Sequence, residues 1–307
     1  MKNKNLQYNE LVYEWINYHK QFIKESTYSN YTNIIDNHLS LDLGTSPLNA
    51  MDNNTLQNYV LKKFACELAI KSIKDIMVVL KLSLKYGFKK DYTAAFDLSV
   101  KYPKVITKNN IEILSSREIY KVVDYVNKSE DSRDIGILIA LLTGMRIGEI
   151  SALKYSDICF KTNTINISRT LQRIYTKKDK TRIIETTPKT NSSIRSIPLS
   201  KELKEILVKQ SYSSNDYILS LSSNPTEPRL LRKRFNLLLA KKKIKHFKFH
   251  SLRHTFASKC IEAKIDYKTI SVLLGHANIS TTLNLYVHPN NSQKKKAINR
   301  LTASILK

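Results

Sequence analysis

The sequence predicts a mainly helical protein of two domains, with a small antiparallel three-stranded β-sheet in the second domain. Three observations support this fold class. Apolar residues recur at helical spacing through most of the 307 residues. A stretch without this period contains one proline and two adjacent asparagines and separates two helical regions, and we place the linker at residues 104–113. Short β-branched segments with polar turns between them occur in the second region.

Residues 1–103 are predicted to form a domain of four or five helices. The apolar positions of the first helix are Leu11, Trp15, Tyr18 and Phe22. Ser26 is the expected N-cap of the second helix, because a serine hydroxyl can accept a hydrogen bond from a backbone N–H group of the first turn. Gly44 and Pro47 then interrupt the pattern, and two further helices are expected over residues 52–64 and 67–86.

Residues 114–290 are predicted to form the second domain, followed by a tail helix at residues 291–307. Ser115 or Ser116 should cap its first helix, and a buried helix should follow over residues 135–142 and end at Gly144. The three predicted strands cover residues 164–167, 181–186 and 194–198. From residue 200 onward the pattern is again helical.

Positive charge is the most informative bulk property of the chain. Lys and Arg number 51 against 26 Asp and Glu, so the formal net charge is +25. Residues 1–104 hold 14 basic and 10 acidic side chains, whereas residues 105–307 hold 37 and 16. This excess favours a polyanion as partner, since each neutralised phosphate releases condensed counterions. A solvated surface on a lysine-rich protein is the alternative, and composition alone leaves it open.

Two groups of basic residues are the candidates for contact with double-stranded DNA. The candidates are Lys71, Lys74, Arg232, Lys233, Arg234, Lys241, Lys242 and Lys243. The last six lie within residues 229–248, where nine basic side chains occur without an acidic one. We expect this run to lie along DNA phosphates, which fixes the register of the protein on the duplex without reading sequence.

The sequence shows no signal for a cofactor, for export or for membrane insertion. Cys66, Cys159 and Cys260 are far apart and have no metal-binding spacing. The first ten residues are polar, and no apolar run reaches the roughly 18 residues that span a bilayer. We therefore expect a cytoplasmic protein with reduced thiols, and we expect neither a metal nor another cofactor.

Five short segments of the second domain carry side chains suited to chemistry. In chain order they are TGMRIGEI at 143–150, PKT at 188–190, HSLRHTFA at 250–257, LLGHANIS at 273–280 and STTLNLY at 280–286. Each is ordinary by itself. Arg146 and Glu149 fit an ion pair at a helix start, and Tyr286 is one of 17 tyrosines. His250 and Arg253 are three residues apart, which places both on one face of a helix.

Together and in this order, the five segments resemble the tyrosine recombinase (phage integrase) family over about residues 115–286. The residues that match the active-site set of the family are Arg146, Lys189, His250, Arg253, His276 and Tyr286, with Glu149 at its acidic position. The N-terminal half is similar to the helical core-binding domain of the family, with weaker motifs. His276 and Tyr286 are ten residues apart, which is typical of phage and transposon integrases, whereas Xer-type resolvases use nine.

The resemblance implies a two-domain DNA clamp that cuts and rejoins strands through a 3′-phosphotyrosine, without ATP or metal. Arg146 and Arg253 are expected to offer permanent charge and planar N–H donors to the phosphate oxygens. Tyr286 is the implied nucleophile, and Lys189 is the implied general acid. The remaining implied roles are proton acceptor for His250, hydrogen-bond donor for His276 and support of Arg146 or a neighbouring group for Glu149.

The family resemblance also implies partners. Four protomers are expected in the synaptic complex and a monomer in solution, and an accessory DNA-bending or directionality protein is a further expected partner. The tail at residues 291–307 either docks on a neighbouring subunit or packs on its own domain. Alternative functions are an Xer-like resolvase, a type IB topoisomerase that only relaxes DNA, and a non-catalytic DNA-binding regulator. Strand exchange between two defined sites separates recombinases from a topoisomerase.

Overall fold

The computed structural model describes residues 6–93, 99–105, 112–177, 180–187, 194–210, 213–276, 278, 280 and 291–306. The chain divides into two compact units. Unit 1 comprises Met1–Asn109 with Arg173–Arg182, and unit 2 comprises Asn110–Gln172 and Ile183–Lys307. Within the described ranges, no helix combines the length and the apolar character needed to cross a membrane.

Unit 1 is helical, in agreement with the sequence-based expectation. Its helices are α1 (Tyr8–His19), α2 (Glu25–Ile34), α3 (Ser40–Leu43), α4 (Asn53–Ala65) and α5 (Ile70–Lys89), and a π-helical turn (Ile35–Leu39) joins α2 to α3. The core is built on α5, whose buried side chains include Ile73, Ile76, Leu80 and Leu84. These residues recur every three or four positions, so one stripe of the 20-residue helix faces the core.

Two details of unit 1 differ from the sequence-based expectation. Tyr18 and Phe22 are both exposed. Phe22 lies in a 3₁₀ turn that follows the end of α1 at His19, and Tyr18 packs at the surface on the rings of Phe22 and Tyr86. Ser26 is not the N-cap of α2. The helix begins at Glu25, and Lys24 occupies the cap position but does not cap the helix with its side chain. A first-turn glutamate is favourable at the positive end of the helix dipole.

Among the described residues, unit 2 contains the remaining helices, three whole strands and parts of two others. The helices are α6 (Ser116–Asn127), α7 (Ile135–Thr143), α8 (Ile147–Ser151), α9 (Lys201–Val208), α10 (Pro228–Lys241), α11 (His250–Glu262), α12 (Tyr267–Leu274) and α13 (Asn291–Ile305). The strands are β1 (Ile158–Cys159), β2 (Thr164–Ile167), β3 (Thr170–Thr176), β4 (Lys180–Thr186) and β5 (Arg195–Pro198), of which residues 173–182 are grouped with unit 1.

The predicted three-stranded antiparallel sheet exists, but one of its strands was assigned wrongly. The sheet has the order β1-β2-β5, with Ile165 opposite Ile158 on one side and Ile197 on the other. The segment at 181–186 instead belongs to β4, which pairs with β3 in a separate two-stranded sheet. A strand of two residues such as β1 has too few alternating positions to be visible as a pattern in the sequence.

The N-terminal half of unit 2 contains the junction between α7 and α8, which forms part of the site described below. Ser115 caps α6 in a capping box with Glu118, as expected. Helix α7 is buried over most of its length and ends at Gly144, whose φ of 67° lies in the left-handed region. A β-carbon on Gly144 would lie 2.5 Å from the ring of Phe256 and 2.7 Å from Leu274. Both the positive φ and the lack of space therefore favour glycine at this position.

Candidate active site

The C-terminal end of α12 is the centre of the site in unit 2. Gly275 ends the helix with a φ of 66°, and its N–H and that of His276 donate to carbonyls of the last turn. The last carbonyls of a helix have no partner within the helix. Here Leu273, Leu274 and Gly275 each accept a hydrogen bond from a different arginine, at 2.8, 2.8 and 3.2 Å.

Arg146 reaches this helix end from the start of α8. It occupies the N-cap position of α8 and directs one Nη2–H to the carbonyl of Gly275. Its Nη1 donates to Oε1 of Glu149 at 2.8 Å and its backbone N–H donates to Oε2 at 2.9 Å. The side chain of Arg146 remains 38% exposed, so a ligand can reach the guanidinium.

Arg253 approaches the same helix end from α11 and is 2% exposed. Its Nη1 donates to the carbonyl of Gly144 at 2.7 Å and its Nη2 to that of Leu274 at 2.8 Å. These bonds join the end of α7 to the end of α12 through one permanently charged group. A buried charge of this kind is tolerated because carbonyl dipoles replace part of its hydration.

Glu149 is held by a second arginine, Arg195 of β5. The Nη2 of Arg195 donates to Oε2 of Glu149 at 2.9 Å, and the two side chains are only 4% and 3% exposed. Burial alone would raise the pKa of the Glu149 carboxyl, but hydrogen bonds and charge from Arg195 and Arg146 lower it below its ordinary value. The carboxylate is therefore charged at neutral pH and binds two guanidiniums.

Two histidines of the predicted site share this cationic environment. His250 remains exposed as a residue, yet partial burial of its ring and the nearby His254, Arg253 and Arg146 lower its pKa to about 4. The pKa of His276 is also lowered to about 4, by burial and then by the positive charges of Arg253 and Arg146. Both imidazoles are therefore neutral at pH 7 in the free protein.

His254 packs edge-on against the ring of His250, with 4.7 Å between the ring centroids. Burial and the charge of Arg253 lower the pKa of His254 as well. His254 lies four residues after His250 on α11, so the two side chains share a face of the helix. His254 therefore contacts the ring of a residue that is a candidate for the site.

A cavity of about 390 Å³ opens beside these residues. His250 and Arg253 contribute to its wall, together with Arg232, His246 and Lys248 from the basic run. The wall therefore combines cationic and polar side chains with the apolar side chains of Met145, Ile147 and Phe249. An anion of the size of a phosphodiester fits this chemistry, because guanidinium forks and imidazoles all offer N–H donors.

The structure brings together five of the seven residues expected in the site. Arg146, Glu149, Arg253 and His276 meet at the end of α12, and His250 lies beside them. Lys189 and Tyr286 lie outside the described residues. No group of three or more His, Cys, Asp or Glu side chains with metal-binding geometry occurs in the described part of the chain.

The basic residues expected to touch DNA fall into two kinds. Lys71, Arg232, Lys233, Lys241 and Lys243 are exposed, and so is Lys74, which lies over the ring of Tyr102. Arg234 instead bonds to both oxygens of the buried Asp134 and to Asp131. Lys242 pairs with Asp124 at 2.9 Å. The two ion-paired side chains therefore have structural partners within unit 2.

Arg195 is the site residue to which sequence reasoning gave no role. Its signal was present in the strand pattern: Arg195, Ile197 and Leu199 alternate with exposed neighbours and are all buried. A charged residue in phase with core residues needs a buried counter-charge. Which carboxylate supplies it depends on the tertiary fold, because Glu149 lies 46 residues earlier in the chain.

The fold and the site define the class of protein. Helical units with small antiparallel sheets, and two arginines side by side at one helix end with neutral histidines around them, agree with what the resemblance to the tyrosine recombinases implied. A family model described as "Phage integrase family" matches residues 109–293, which is more than half of the chain. A second model, "Phage integrase, N-terminal SAM-like domain", matches residues 7–64. The chain belongs to the phage integrase family.

The curated relatives include an Xer-like recombinase and a phage integrase. The chain is 28% identical over 306 residues to a "Tyrosine recombinase XerC-like" of Caldanaerobacter subterraneus subsp. tengcongensis, covering 91% of this chain and 78% of the relative. It is also 28% identical over 324 residues to the integrase of Staphylococcus phage L54a, covering 93% and 89%. The protein is a site-specific recombinase of the mobile-element type, and the Xer-like alternative has no better support.

Solved structures share the fold. The Tn1549 transposon integrase in complex with a circular intermediate DNA matches with a TM-score of 0.75 at 21% identity, over 96% of this chain and 99% of that chain. A lambda integrase tetramer bound to a Holliday junction matches with a TM-score of 0.70 at 17% identity, over 94% and 80%. At these identities the likeness concerns the fold alone.

Proposed function

We propose that this recombinase cleaves and rejoins DNA at a phosphate bound by Arg146 and Arg253, with Tyr286 as the nucleophile. The observation that carries the proposal is the pair of guanidiniums fixed on adjacent carbonyls, those of Gly275 and Leu274. Because these two carbonyls are neighbours, the two guanidiniums lie close together, and one phosphate can contact both. His276 follows Gly275 directly and so borders the same position.

The guanidiniums supply the electrostatic part of the reaction. A phosphodiester is an anion that repels nucleophiles, and attack adds further charge to its non-bridging oxygens. Arginines already oriented by backbone carbonyls stabilise this charge without reorganising during the reaction. The exposed side of Arg146 allows the phosphate to approach.

The neutral histidines suit proton transfer. The phenol of Tyr286, with an ordinary pKa of about 10, must lose its proton as it attacks phosphorus. We assign the acceptor role to His250, whose pKa of about 4 keeps it unprotonated in the free protein. A bound phosphate offsets the positive charge around it and raises that pKa, which makes the imidazole a better base when substrate is present. His276 donates to a phosphate oxygen.

Lys189 completes the first transesterification. As the Tyr286–phosphorus bond forms, the bond from phosphorus to the 5′ oxygen breaks, and Lys189 gives that oxygen a proton. The products are a 3′-phosphotyrosine and a free 5′-hydroxyl. Because the new ester keeps the free energy of the original bond, a 5′-hydroxyl from a second strand reverses the step and rejoins the strands.

The two halves of the chain have separate roles in this proposal. Residues 1–103 act as a core-type DNA-binding domain, residues 104–113 as linker and residues 114–290 as catalytic domain. Lys71, Lys74, Arg232 and Lys233 are exposed and can lie along the DNA phosphates, whereas Arg234 and Lys242 have acidic partners. The protein is then a cytoplasmic, nucleoid-associated monomer that binds double-stranded DNA.

A tetramer is proposed for the synaptic complex, in line with the lambda integrase tetramer of similar fold. The tail helix α13 supports this assembly, because Ile298, Leu301 and Ile305 are exposed on it. An accessory DNA-bending or directionality protein is a further partner in the proposal.

The first test uses a nicked suicide duplex that spans the ends of the genetic element encoding the chain. Wild type should form a covalent protein–DNA band on a denaturing gel, and Tyr286→Phe should not, although both shift the duplex on a native gel. If neither protein forms the band while both bind, the chain is a DNA-binding regulator. Relaxation of supercoiled DNA without exchange between two sites would instead favour a topoisomerase.

A second substrate separates the role of Lys189 from that of Tyr286. Sulfur in place of the bridging 5′ oxygen leaves as a thiolate, which needs no proton because a thiol is far more acidic than an alcohol. Lys189→Ala should cleave the oxygen substrate slowly and the sulfur-bridged substrate at nearly the wild-type rate. Tyr286→Phe should cleave neither. Equal loss of Lys189→Ala activity on both substrates would contradict the general-acid role.

A further inference from the structure

Arg195 is the third arginine at the end of α12 and has no assigned role. It lies on β5, opposite Ile167 of β2, with its side chain 4% exposed. Its Nε donates to the carbonyl of Leu273 at 2.8 Å, while Nη1 and Nη2 donate to Oε1 and Oε2 of Glu149 at 3.2 and 2.9 Å. One rigid, planar group thus joins a helix end to a buried carboxylate.

The same two partners determine where Arg146 points. Oε1 of Glu149 accepts from Arg146 as well as from Arg195, and so does Oε2. The Gly275 carbonyl that receives Arg146 lies two residues after the Leu273 carbonyl that receives Arg195. Displacement of Arg195 would therefore move both anchors of Arg146.

Arg253 depends on the same helix end. Its Nη2 bonds to the carbonyl of Leu274, between the carbonyls held by Arg195 and Arg146. The three carbonyls belong to consecutive residues, so the planar peptide units of the chain link their directions to one another. The end of α12 therefore transmits the position of Arg195 to Arg253 and, through Gly275, to His276.

The charges in the cluster favour the same conclusion. Glu149 carries one negative charge in a buried setting and has two arginines as partners. Without Arg195, Arg146 alone would balance that carboxylate, and less of its charge would be available to a phosphate. By sharing the neutralisation of Glu149, Arg195 leaves more of the positive charge of Arg146 for the phosphate, and it also orients Arg146.

We propose that Arg195 is a positioning residue of the strand-cleavage reaction: it joins Glu149 to the end of α12 and so aims Arg146, Arg253 and His276 at one phosphate. It does not touch the substrate. The inference rests on the proposed function, since it assumes that the phosphate binds at Arg146 and Arg253. The alternative is a buried ion pair that only stabilises unit 2.

The experiment compares four variants of the full chain with wild type: Arg195→Gln, Arg195→Lys, Glu149→Gln and the double variant Glu149→Gln/Arg195→Gln. Arg169→Gln is the matched control, because Arg169 pairs with Asp157 in the same unit and touches no carbonyl of α12. The rate of covalent adduct formation at saturating protein, the affinity for the duplex and the melting temperature are measured for each.

A positioning role predicts a loss in rate and not in binding. Arg195→Gln should form the adduct about 100-fold more slowly at saturation, the size of effect that a misplacement of about 1 Å produces. Its affinity for the duplex should stay close to that of wild type. Arg195→Lys should recover part of the rate, because an ammonium keeps the charge but cannot bond to Leu273 and to both oxygens of Glu149. Arg169→Gln should react like wild type.

The double variant keeps the inference testable if Arg195→Gln folds poorly. Glu149→Gln removes the buried carboxylate charge that Arg195→Gln would leave with Arg146 as its one remaining arginine partner, so the double variant should melt higher than Arg195→Gln. It should nevertheless react about 10-fold more slowly than Glu149→Gln alone, because the bond to Leu273 is lost in addition. If the double variant and Glu149→Gln react equally fast, Arg195 only neutralises Glu149 and the proposal is overturned.

Three other outcomes would also overturn it. These are a wild-type rate for Arg195→Lys, a loss for Arg195→Gln that appears only as weaker DNA binding, and equal rates for Arg195→Gln and Arg169→Gln. Failure of the proposed function looks different: wild type itself would then form no adduct, and the inference about Arg195 would fall with it.

Discussion

The cationic side chains around the α12 end illustrate how single residues make this site. Arg253 is almost completely buried yet stays charged, because carbonyls from two helix ends bind its guanidinium. Arg146 also donates to a carbonyl at a helix end, that of Gly275, but its side chain stays partly exposed. Burial, together with this concentration of positive charge, lowers the pKa values of the neighbouring histidines His250 and His276. A phosphate offsets this charge, so the free site is prepared for an anion.

The lowered pKa values of His250 and His276 predict a stability that depends on pH. Both fall from an ordinary value of about 6.5 to about 4 in the folded chain. Between these two pH values the unfolded chain binds more protons than the folded chain, so the free energy of unfolding decreases as the pH decreases through this window. Calorimetry of wild type at pH 7, 6 and 5 should therefore show a falling melting temperature for unit 2.

Two comparisons make the pH prediction specific. His250→Asn should reduce the decrease in melting temperature between pH 7 and pH 5, since one depressed histidine is gone. A bound duplex should reduce it as well, because its phosphates offset the charge of Arg146 and Arg253. A pH dependence that is the same in wild type, His250→Asn and the DNA complex would contradict the assignment.

At the scale of elements, the junction between α7 and α8 contributes two groups to the site, the carbonyl of Gly144 and the side chain of Arg146. The left-handed Gly144 ends α7, its carbonyl receives Arg253, and Arg146 then caps α8. Gly148, in the first turn of α8, approaches the backbone of β3 so closely that a β-carbon would lie 2.5 Å from the Leu171 carbonyl. The short motif that contains both glycines therefore meets steric requirements of the backbone, in addition to supplying Arg146.

Gly144→Ala should destabilise the protein by roughly 2 kcal/mol or more, because alanine is strained in the left-handed region and its β-carbon meets Phe256. Gly144→Asn should lose less if backbone strain dominates, since asparagine enters this region more easily. Thermal unfolding of the two variants measures the difference. Equal losses would show that the contact with Phe256, and not the φ angle, decides the cost.

On the scale of the whole molecule, the exposed apolar side chains of the tail helix α13 allow a test of assembly. Deletion of residues 291–307 should abolish exchange between two sites but leave cleavage of the suicide substrate if the tail docks on a neighbouring protomer. A finer variant changes Ile298, Leu301 and Ile305 to Ser, and Ser304→Ala, also on α13, is its control. Loss of soluble protein on deletion, or loss of cleavage in the triple variant, would favour a tail that packs on its own domain.

The net positive charge of the whole chain predicts that its affinity for DNA decreases as the salt concentration increases. Lys233→Ala should weaken binding to every duplex and lower the slope of log affinity against log salt concentration by about 1, as expected when one phosphate contact is lost. Gel-shift titrations between low and moderate salt measure this slope. An unchanged slope would remove Lys233 from the DNA interface.

Arg234→Ala is the matched control for that experiment. Its guanidinium bonds to Asp134, which is 1% exposed, and to Asp131. Removal of the partner of a buried carboxylate costs roughly 3 kcal/mol or more. We therefore expect a lower melting temperature with an unchanged salt slope. A reduced slope would place Arg234 on DNA in spite of its ion pairs.

Local patterns in the chain were sufficient for most of the fold. The stripe of α5, the capping box at Ser115 and the glycine end of α7 each depend on residues a few positions apart, so periodicity and caps reveal them. The strand at 181–186 was assigned to the wrong sheet, because strand pairing is decided between segments distant in sequence. The exposure of Tyr18 has the same origin, since burial depends on what packs against a helix.

The sequence by itself determined the class of chemistry, because the residue types and their order along the chain carry the motifs. Only the tertiary structure decided how those residues work together. The carbonyls of Leu273, Leu274 and Gly275 meet Arg195, Arg253 and Arg146, which come from three different elements. The physical reason is that a helix end exposes backbone acceptors in a fixed direction, while nothing in a sequence indicates which distant donors will satisfy them.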